Sequence, residues 1–249
     1  MNIAVCMKQT ADTETRLKIA GDGTSIVEDD IQWIINPYDE SAIEQALLLA
    51  EAEGGEVTVI AIGPERIEKS IREALAMGAH NAIRLDCDKI PDDALVIAKA
   101  LVAVLKEDAY DIIFAGQQAV DNDNAQVPQR IATALGLPCV TAVEELALST
   151  EGGTAMRLLE GARETTRFSL PAVIGVNLRL AKPRYPSFKG IMQAKRKPID
   201  VRPANLEPAK LAIRKLTLPP QKTAGKLFEN GAEAIPEVLR LLREEAKVL

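Results

Sequence analysis

The chain has 249 residues, of which 47% are hydrophobic, and it carries a formal net charge of −6 with a pI near 5.1. This composition is typical of a soluble globular protein that buries a large core, and the acidic balance argues against broad nucleic-acid binding. The sequence has no apolar run of membrane-spanning length, and its first residues lack a signal-peptide pattern. We therefore expect a cytoplasmic or mitochondrial-matrix-like location without membrane insertion.

Cysteine and histidine content excludes several kinds of site. Cys6, Cys87 and Cys139 show no C-x-x-C spacing, so we expect neither a disulfide framework nor a zinc site and predict small core residues instead. His80 is the only histidine, which argues against a His-based triad or a multi-histidine metal site. We predict no metal site and no catalytic residue.

The first half of the sequence alternates short apolar strands with amphipathic helices. Strands are predicted at Asn2–Met7, Glu56–Ile62, Asn81–Leu85 and Asp111–Ala115. Helices are predicted at Glu40–Ala52, Glu65–Met77, Asp93–Lys106 and Ala125–Leu135. Ser41 and Glu44 have the spacing of a capping box for the first helix. The alternation predicts an α/β fold with a doubly wound, mostly parallel sheet of the Rossmann-like, adenine-nucleotide-binding kind.

The second half has strands without helices between them. They are predicted at Val140–Ser149, Thr154–Glu160, Glu164–Ser169 and Ala172–Asn177, with a hairpin turn at Glu151-Gly152-Gly153. This pattern indicates an added antiparallel layer or an extension of the sheet over about 140–180. We assign 1–197 to one α/β domain and the proline-rich 198–249 to a C-terminal arm, which ends in an amphipathic helix from about Ile235 to Lys247.

The loop after the fourth strand is the first candidate site. Gly116 ends a buried strand, and a polar segment leads through Asp121 and Asn124 to Pro128 at a helix start. Such loops bind nucleotides at the carboxyl edge of open α/β sheets. The loop has no lysine or arginine, so its backbone N–H groups would be the phosphate donors. The alternative is that the acidic and amide side chains only cap the helix.

Two other segments are expected at the same edge of the sheet. Asn36-Pro37-Tyr38-Asp39 precedes the first helix, where Asp39 or Ser41 could cap it, and Ile62-Gly63-Pro64 ends the second strand. Three loops that meet at one edge of a parallel sheet form a pocket.

A basic segment in this acidic protein predicts a docking surface. Lys182–Lys197 contains six basic residues, no acidic one, and the large apolar side chains of Tyr185, Phe188, Ile191 and Met192. Cations around an apolar anchor favour recognition of an acidic partner with an apolar pocket. The alternative is a solvated helix face with Phe188 in the core.

These motifs together identify a family. The chain resembles the beta subunit of electron transfer flavoprotein over nearly its whole length. The resemblance lies in Asn36–Asp39, Ala74–Ala79, Gly116–Asp121, Leu170–Val173, Pro183–Tyr185 and Ile191–Lys195.

The resemblance implies an electron carrier rather than a complete enzyme. In this family the beta subunit pairs with an alpha subunit, and the pair carries one FAD held mainly by alpha. It accepts electrons from acyl-CoA dehydrogenase-type flavoenzymes, as in fatty acid beta-oxidation, and passes them to a quinone oxidoreductase. The beta subunit normally binds AMP.

The resemblance also implies residue roles. The nucleotide contacts fall on Cys6, Asn36, Pro37, Tyr38, Asp39, Ile62, Gly116, Gln117, Gln118, Ala119, Val120, Asp121, Asn122, Asp123, Asn124, Ala125, Gln126 and Val127. Partner docking falls on Tyr185, Phe188, Lys189, Ile191, Met192, Lys195, Arg196 and Lys197, with Phe188 as the anchor.

The nucleotide in the beta subunit stays open between two branches of the family. Thr13 and Ala125-Gln126-Val127 are similar to the electron-bifurcating branch, in which a second FAD replaces AMP, whereas Pro183-Arg184-Tyr185 and Lys195-Arg196-Lys197 are similar to the AMP-binding branch. We favour AMP because Pro128 stands where the bifurcating branch has glycine, and proline removes an N–H that a longer pyrophosphate could use. A stand-alone nucleotide-binding stress or signalling module is the alternative from another class, and it predicts a self-sufficient domain that ends near residue 150.

Overall fold

The computed structural model describes residues 1–149, 152–220 and 225–249. The chain divides into two compact units, Met1–Leu216 and Thr217–Leu249. The strands of the first unit are β1 (Asn2–Met7), β2 (Gln9–Ala11), β3 (Trp33–Ile35), β4 (Glu56–Gly63), β5 (Asn81–Asp86), β6 (Ile112–Gly116), β7 (Cys139–Leu148), β8 (Gly152–Leu159), β9 (Ala162–Ser169), β10 (Ala172–Val176) and β11 (Asp200–Pro203). The helices are α1 (Pro37–Glu53), α2 (Glu68–Met77), α3 (Ala94–Leu105), α4 (Val127–Leu135), α5 (Phe188–Ala194) and, in the second unit, α6 (Ile235–Glu244).

The main sheet has the order β11-β5-β4-β1-β6-β10-β7-β8-β9. All neighbours from β11 to β7 run parallel, and β8 and β9 continue the sheet antiparallel. A separate small antiparallel sheet pairs β2 with β3. The predicted doubly wound, mostly parallel α/β fold is confirmed.

Both faces of the central strands are buried, which explains their nearly continuous apolar sequences. On β1, Ile3 and Val5 pack into the core that includes α1 and α2, whereas Ala4 and Cys6 pack into the core that includes α3. Successive side chains of a strand point to opposite faces, so one apolar strand supplies both cores. This arrangement places helices on the two sides of the sheet.

The chain reverses its direction across the sheet between β1 and β6. The strands β4 and β5 follow on one side of β1, and β6 lies on the other, in register with Cys6 beside Ala115. At such a switch point the connections after the two strands leave in opposite directions and open a crevice at their carboxyl ends. The candidate nucleotide site lies at this crevice.

The second half of the first unit differs in detail from the prediction. The antiparallel strands extend the main sheet, and β10, expected among them, lies parallel between β6 and β7. Gly152 and Gly153, predicted to turn a hairpin, belong to β8, where a side chain at either position would collide with Phe168. Glu151, the remaining residue of the predicted turn, lies outside the described residues.

Helix α1 begins earlier than predicted, and the capping box is wrong. The helix starts at Pro37, a residue well suited to a first turn because its missing N–H would be unsatisfied there. Ser41 therefore lies inside the helix, where its hydroxyl donates to the carbonyl oxygen of Asn177 at 3.1 Å and accepts the N–H of Ala181 at 3.2 Å. Asp39 does not cap the helix either, because its carboxylate accepts the N–H groups of Lys8 and Gly116.

Part of the segment assigned to the C-terminal arm lies in the first unit. Strand β11 pairs with β5 at the edge of the sheet, and the first unit continues to Leu216 rather than ending near residue 150. In the second unit, α6 ends at Glu244, before the predicted Lys247. Of the three cysteines predicted to be core residues, Cys6 is buried, Cys87 is half-buried and Cys139 is exposed.

Candidate functional site

The Asp39 carboxylate joins the ends of the two strands at the switch point. Its Oδ2 accepts the N–H of Lys8, directly after β1, at 2.8 Å, and its Oδ1 accepts the N–H of Gly116, at the end of β6, at 2.7 Å. Because α1 begins at Pro37, the helix holds this carboxylate in the crevice. Asp39 thus fixes the separation of the two loops that leave the sheet here.

Asn36 makes a second set of bonds to the loop after β6. Its side-chain amide donates to the carbonyl oxygen of Gln118 at 2.9 Å, and its side-chain oxygen accepts the N–H of Val120 at 3.2 Å. Gly116 is required at the start of this loop, since a Cβ atom there would overlap Asp39 Oδ1 and lie 2.7 Å from the Cβ of Tyr38. The four-residue motif at the start of α1, Asn36–Asp39, therefore shapes the candidate nucleotide loop.

The loop itself ends at a helix start with open donors. Asp123 and Ala125 have φ angles of +46° and +51°, the left-handed conformation that L-residues rarely adopt. Among the described residues, no protein acceptor pairs with the N–H groups of Ala125, Gln126 and Val127. Three backbone donors at the amino terminus of α4 are suited to hold an anion. Among the described residues, no side chain of the loop caps these three N–H groups.

A cavity of about 840 Å³ lies over the crevice, within the size range of small-molecule sites. Its apolar wall includes Ile62, Ile97 and Leu101, and its polar wall is the loop after β6. Most of the predicted residues line it: Cys6, Asn36, Asp39, Ile62, Gly116, Gln117, Gln118, Ala119, Val120, Asp121, Asn122, Asn124, Ala125, Gln126 and Val127. Pro37, Tyr38 and Asp123 do not line the cavity.

Several lining residues have no counterpart in the sequence prediction. Lys8 Nζ lies 2.5 Å from Asp121 Oδ2, so a lysine reaches the loop from the end of β1. Elsewhere in the lining, the Arg66 guanidinium stacks 3.6 Å from the ring centroid of Trp33 and pairs with Glu28 at 3.4 Å. Lys8 could have been predicted as a lining residue, because it directly follows a central strand. No feature of the sequence indicated that Trp33 or Arg66 would line the cavity.

Burial controls the titration of the acidic groups in the crevice. Desolvation raises the pKa of Asp39 from 3.8 to about 6, although the N–H groups of Lys8 and Gly116 oppose the shift. Desolvation, with a smaller contribution from Asp39, raises the pKa of the Cys6 thiol to about 12. The thiol therefore stays protonated near neutral pH and acts as an apolar lining group.

The basic segment forms a surface helix. The Ser187 hydroxyl accepts the N–H of Gly190 at 3.0 Å and caps α5. Phe188 is 81% exposed and Tyr185 is 94% exposed, and Ile191 and Met192 are exposed as well. The alternative that placed Phe188 in the core is wrong. These four side chains form an exposed apolar group next to the cations.

The cations of this segment differ in their surroundings. Lys189, Lys195 and Arg196 are exposed, and none of them forms an ion pair within the part of the chain that the structure describes. Arg184 instead pairs with Glu44 at 2.8 Å and Glu51 at 2.5 Å on α1. Lys197 is half-buried, and its Nζ donates to the carbonyl oxygen of Ala79 at 2.6 Å. Lys182 is likewise exposed and unpaired among the described residues, so four of the six cations are free to face a partner.

The described part of the chain lacks two features that would indicate other kinds of function. No cluster of three or more histidine, cysteine, aspartate or glutamate side chains is placed to hold a metal ion. No helix in 1–149, 152–220 or 225–249 combines the length and apolarity needed to cross a membrane.

Comparison with known proteins identifies the family. Residues 23–207 match the model of the electron transfer flavoprotein domain. The chain is 39% identical to electron transfer flavoprotein subunit beta of Bacillus subtilis over the full length of both proteins. It is 40% identical to the protein of the same name from Syntrophomonas wolfei, covering 94% of this chain and 92% of the relative, and 31% identical to the human one, covering 98% of each. The chain therefore belongs to the electron transfer flavoprotein family and is similar over its whole length to beta subunits.

Proposed function

We propose that this chain is the beta subunit of a two-subunit electron carrier. It pairs with an alpha subunit, shares an FAD with it, and carries electrons from an acyl-CoA dehydrogenase-type flavoenzyme to a quinone oxidoreductase. The relatives are named as beta subunits, which supports an alpha partner. The flavin supplies the redox chemistry when bound, and the residues of this chain bind a structural nucleotide and dock the donor.

The cavity at the switch point carries the nucleotide part of the proposal. The open N–H groups of Ala125, Gln126 and Val127 fit a phosphate, and the apolar wall at Ile62 and Leu101 fits a purine base. Lys8 is already paired with Asp121, which leaves the backbone as the main source of donors. Such a site retains an adenine nucleotide without activating its phosphates for transfer. We propose AMP as this nucleotide.

A second FAD in place of AMP is the other candidate, and the additional lining of the cavity favours it. Besides the loop after β6, the cavity is lined by Thr13, Glu28 and the stacked pair of Trp33 and Arg66. A dinucleotide would contact more of this lining than a mononucleotide. An electron-bifurcating function would follow only if FAD occupies the site.

Identification of the bound nucleotides separates these candidates. The purified pair of subunits is denatured, and the released small molecules are identified by mass. We expect AMP and FAD in a ratio of about one to one. FAD alone, at about two per pair, would establish the second-FAD alternative, and FAD at one per pair without another nucleotide would contradict a nucleotide site in this chain.

Docking of the donor is tested with Phe188. Phe188→Ala should weaken binding to a purified acyl-CoA dehydrogenase by roughly thirtyfold, on the order of 2 kcal/mol, because it removes the apolar anchor. The melting temperature should not change, since the side chain is 81% exposed. Leu159→Ala on β8, which removes another exposed apolar side chain, is the control. Equal binding by both variants across a panel of dehydrogenases would refute the docking assignment.

A further inference from the structure

The docking helix α5 lies directly against α2. The contact is close at Gly190, where a Cβ atom would overlap the carbonyl oxygen of Ala76 at the end of α2. Ala194, one turn farther along α5, is buried. The inner face of α5 is therefore fixed on α2, while Phe188, Ile191 and Met192 remain exposed.

Two cations connect these helices in a reciprocal arrangement. Arg72, on α2, donates from Nη1 to the carbonyl oxygens of Ala194 at 2.7 Å and Lys197 at 3.1 Å, at the carboxyl end of α5. Lys197, just after α5, donates from Nζ to the carbonyl oxygen of Ala79, just after α2, at 2.6 Å. Ala194 O is one of the last carbonyl groups of α5, which lack intrahelical partners and carry partial negative charge, so Arg72 stabilises the end of that helix. Lys197 bonds the chain just beyond the end of α2.

The bonds from Arg72 and Lys197 together form a clamp between α2 and α5. This clamp matters because α5 is short. It spans seven residues, Phe188–Ala194, and a helix of this length is not stable alone in water. Tertiary contacts must therefore maintain it. If α5 frayed, binding would have to order it again and the affinity for a partner would fall.

We propose that Arg72 and Lys197 are positioning residues for partner docking: their bonds across the α2–α5 contact hold Phe188 in the orientation that an acidic partner with an apolar pocket recognises. Lys197 then differs in role from its neighbours Lys195 and Arg196, which remain free to attract the partner. The inference rests on the proposed docking function of this segment, and it adds a residue, Arg72, that lies more than a hundred positions away in sequence.

The order of α5 is tested without any partner. Hydrogen exchange is measured on the purified pair of subunits for the amides of Ile191, Lys195 and Lys197, which donate to Ser187, Ile191 and Gln193. Arg72→Gln and Lys197→Met should each speed this exchange roughly tenfold, as expected for loss of local stability, whereas Arg196→Gln should leave it unchanged. Lys197→Arg should preserve the slow exchange because it keeps a donor. Unchanged exchange in both Arg72→Gln and Lys197→Met would overturn the proposal.

The kinetics of docking to a purified acyl-CoA dehydrogenase provide the second test. Arg196→Gln should slow association at low salt, with an effect that disappears at high salt. Arg72→Gln and Lys197→Met should instead speed dissociation roughly tenfold at every salt concentration, because they weaken the preorganised anchor. An effect of Lys197→Met confined to association at low salt would overturn its positioning role.

A double-mutant cycle separates this inference from the docking assignment itself. If Arg72 acts through the anchor, Arg72→Gln should cost little further affinity in a Phe188→Ala background. Full additivity of the two changes would overturn the inference. If Phe188→Ala alone had no effect on docking, the proposed function of the segment would fail, while the exchange experiment would still decide whether the clamp orders α5.

Discussion

At the scale of single residues, Asp39 shows why a buried carboxylate is retained at the candidate site. Keeping this charge out of water is costly, as its raised pKa of about 6 records. In return, two N–H groups at the ends of β1 and β6 have one shared acceptor. The buried charge of Asp39 therefore lowers the stability of the fold, while its two hydrogen bonds fix the geometry of the crevice.

The raised pKa of Asp39 predicts that the free energy of unfolding depends on pH. The native state binds a proton at Asp39 more tightly than the unfolded state, so stability from this group is complete below pH 3.8 and is lost as the pH rises through about 6. As the pH rises over this range, the free energy of unfolding of the natural protein should therefore fall by up to about 3 kcal/mol relative to that of Asp39→Asn. Denaturant unfolding of both proteins at several pH values measures the difference. A difference that rises with pH would contradict the burial of this charge.

The residues of the crevice were predictable from sequence where they follow a strand directly. Gly116 and the loop to Val127 satisfy that rule, because a glycine after a buried strand marks the carboxyl edge of the sheet. Trp33 and Arg66 could not be found in this way, since they reach the cavity through the β2–β3 pair and the turn before α2. The motif Asn36–Asp39 was recognised, but capping rules assigned Asp39 a role that its contacts do not support.

At the scale of elements, the amino terminus of α4 is the part of the site most open to a direct test. Gln126→Pro removes one of the three open N–H groups, and its ring also disfavours the φ of −119° found there. We expect the variant to lose its bound nucleotide during purification, because both changes disrupt the phosphate-binding loop.

Gln126→Ala is the matched control, since it removes the side chain and keeps the N–H. Nucleotide content per purified pair of subunits is measured by absorbance and mass after denaturation. Full retention by Gln126→Pro would show that the loop only caps the helix, and equal loss in both variants would show that the side chain, rather than the backbone, binds the nucleotide.

The predicted strands of the first half were well placed, but β2, β3, β11 and α5 were not predicted, and the arrangement of the strands was predicted less well. Strands β1, β4, β5 and β6 begin and end within one residue of the predictions, since their apolar runs have clear limits. The parallel placement of β10 was missed because an apolar run does not specify its neighbours. The start of α1 at Pro37 was missed because Ser41 and Glu44 have the spacing of a capping box but use their side chains for contacts with Asn177 and Arg184.

At the scale of the whole molecule, the described part of the second unit (217–220 and 225–249) has one buried apolar side chain, Ala234, and contributes nothing to the two core clusters. No residue of α6 is buried, and Ile235 and Leu239 are exposed on one apolar face of the helix. An amphipathic helix of this kind gains stability by packing against another surface. The proposed alpha subunit would supply such a surface.

We therefore expect this chain to be aggregation-prone when it is expressed alone and to be well behaved when it is expressed with an alpha subunit. Size-exclusion chromatography and thermal unfolding of both preparations make the comparison. Leu239→Asp should reduce assembly, because it places a charge on the apolar face, whereas Arg243→Asp changes an exposed cation on the same helix and serves as the control. A chain that is monomeric alone and melts cooperatively, with no change on addition of the partner, would contradict the expectation.

The position of β10 has a consequence for biosynthesis. Because β10 lies between β6 and β7, the ribosome must complete Val176 before the meander β7–β9 can join the sheet. Until then β6 presents an unpaired edge, and such edges are sites of mispairing with other chains. A chain that ends before Ala172 and has been released from the ribosome should therefore keep its N-terminal strands resistant to protease while 139–169 is cleaved.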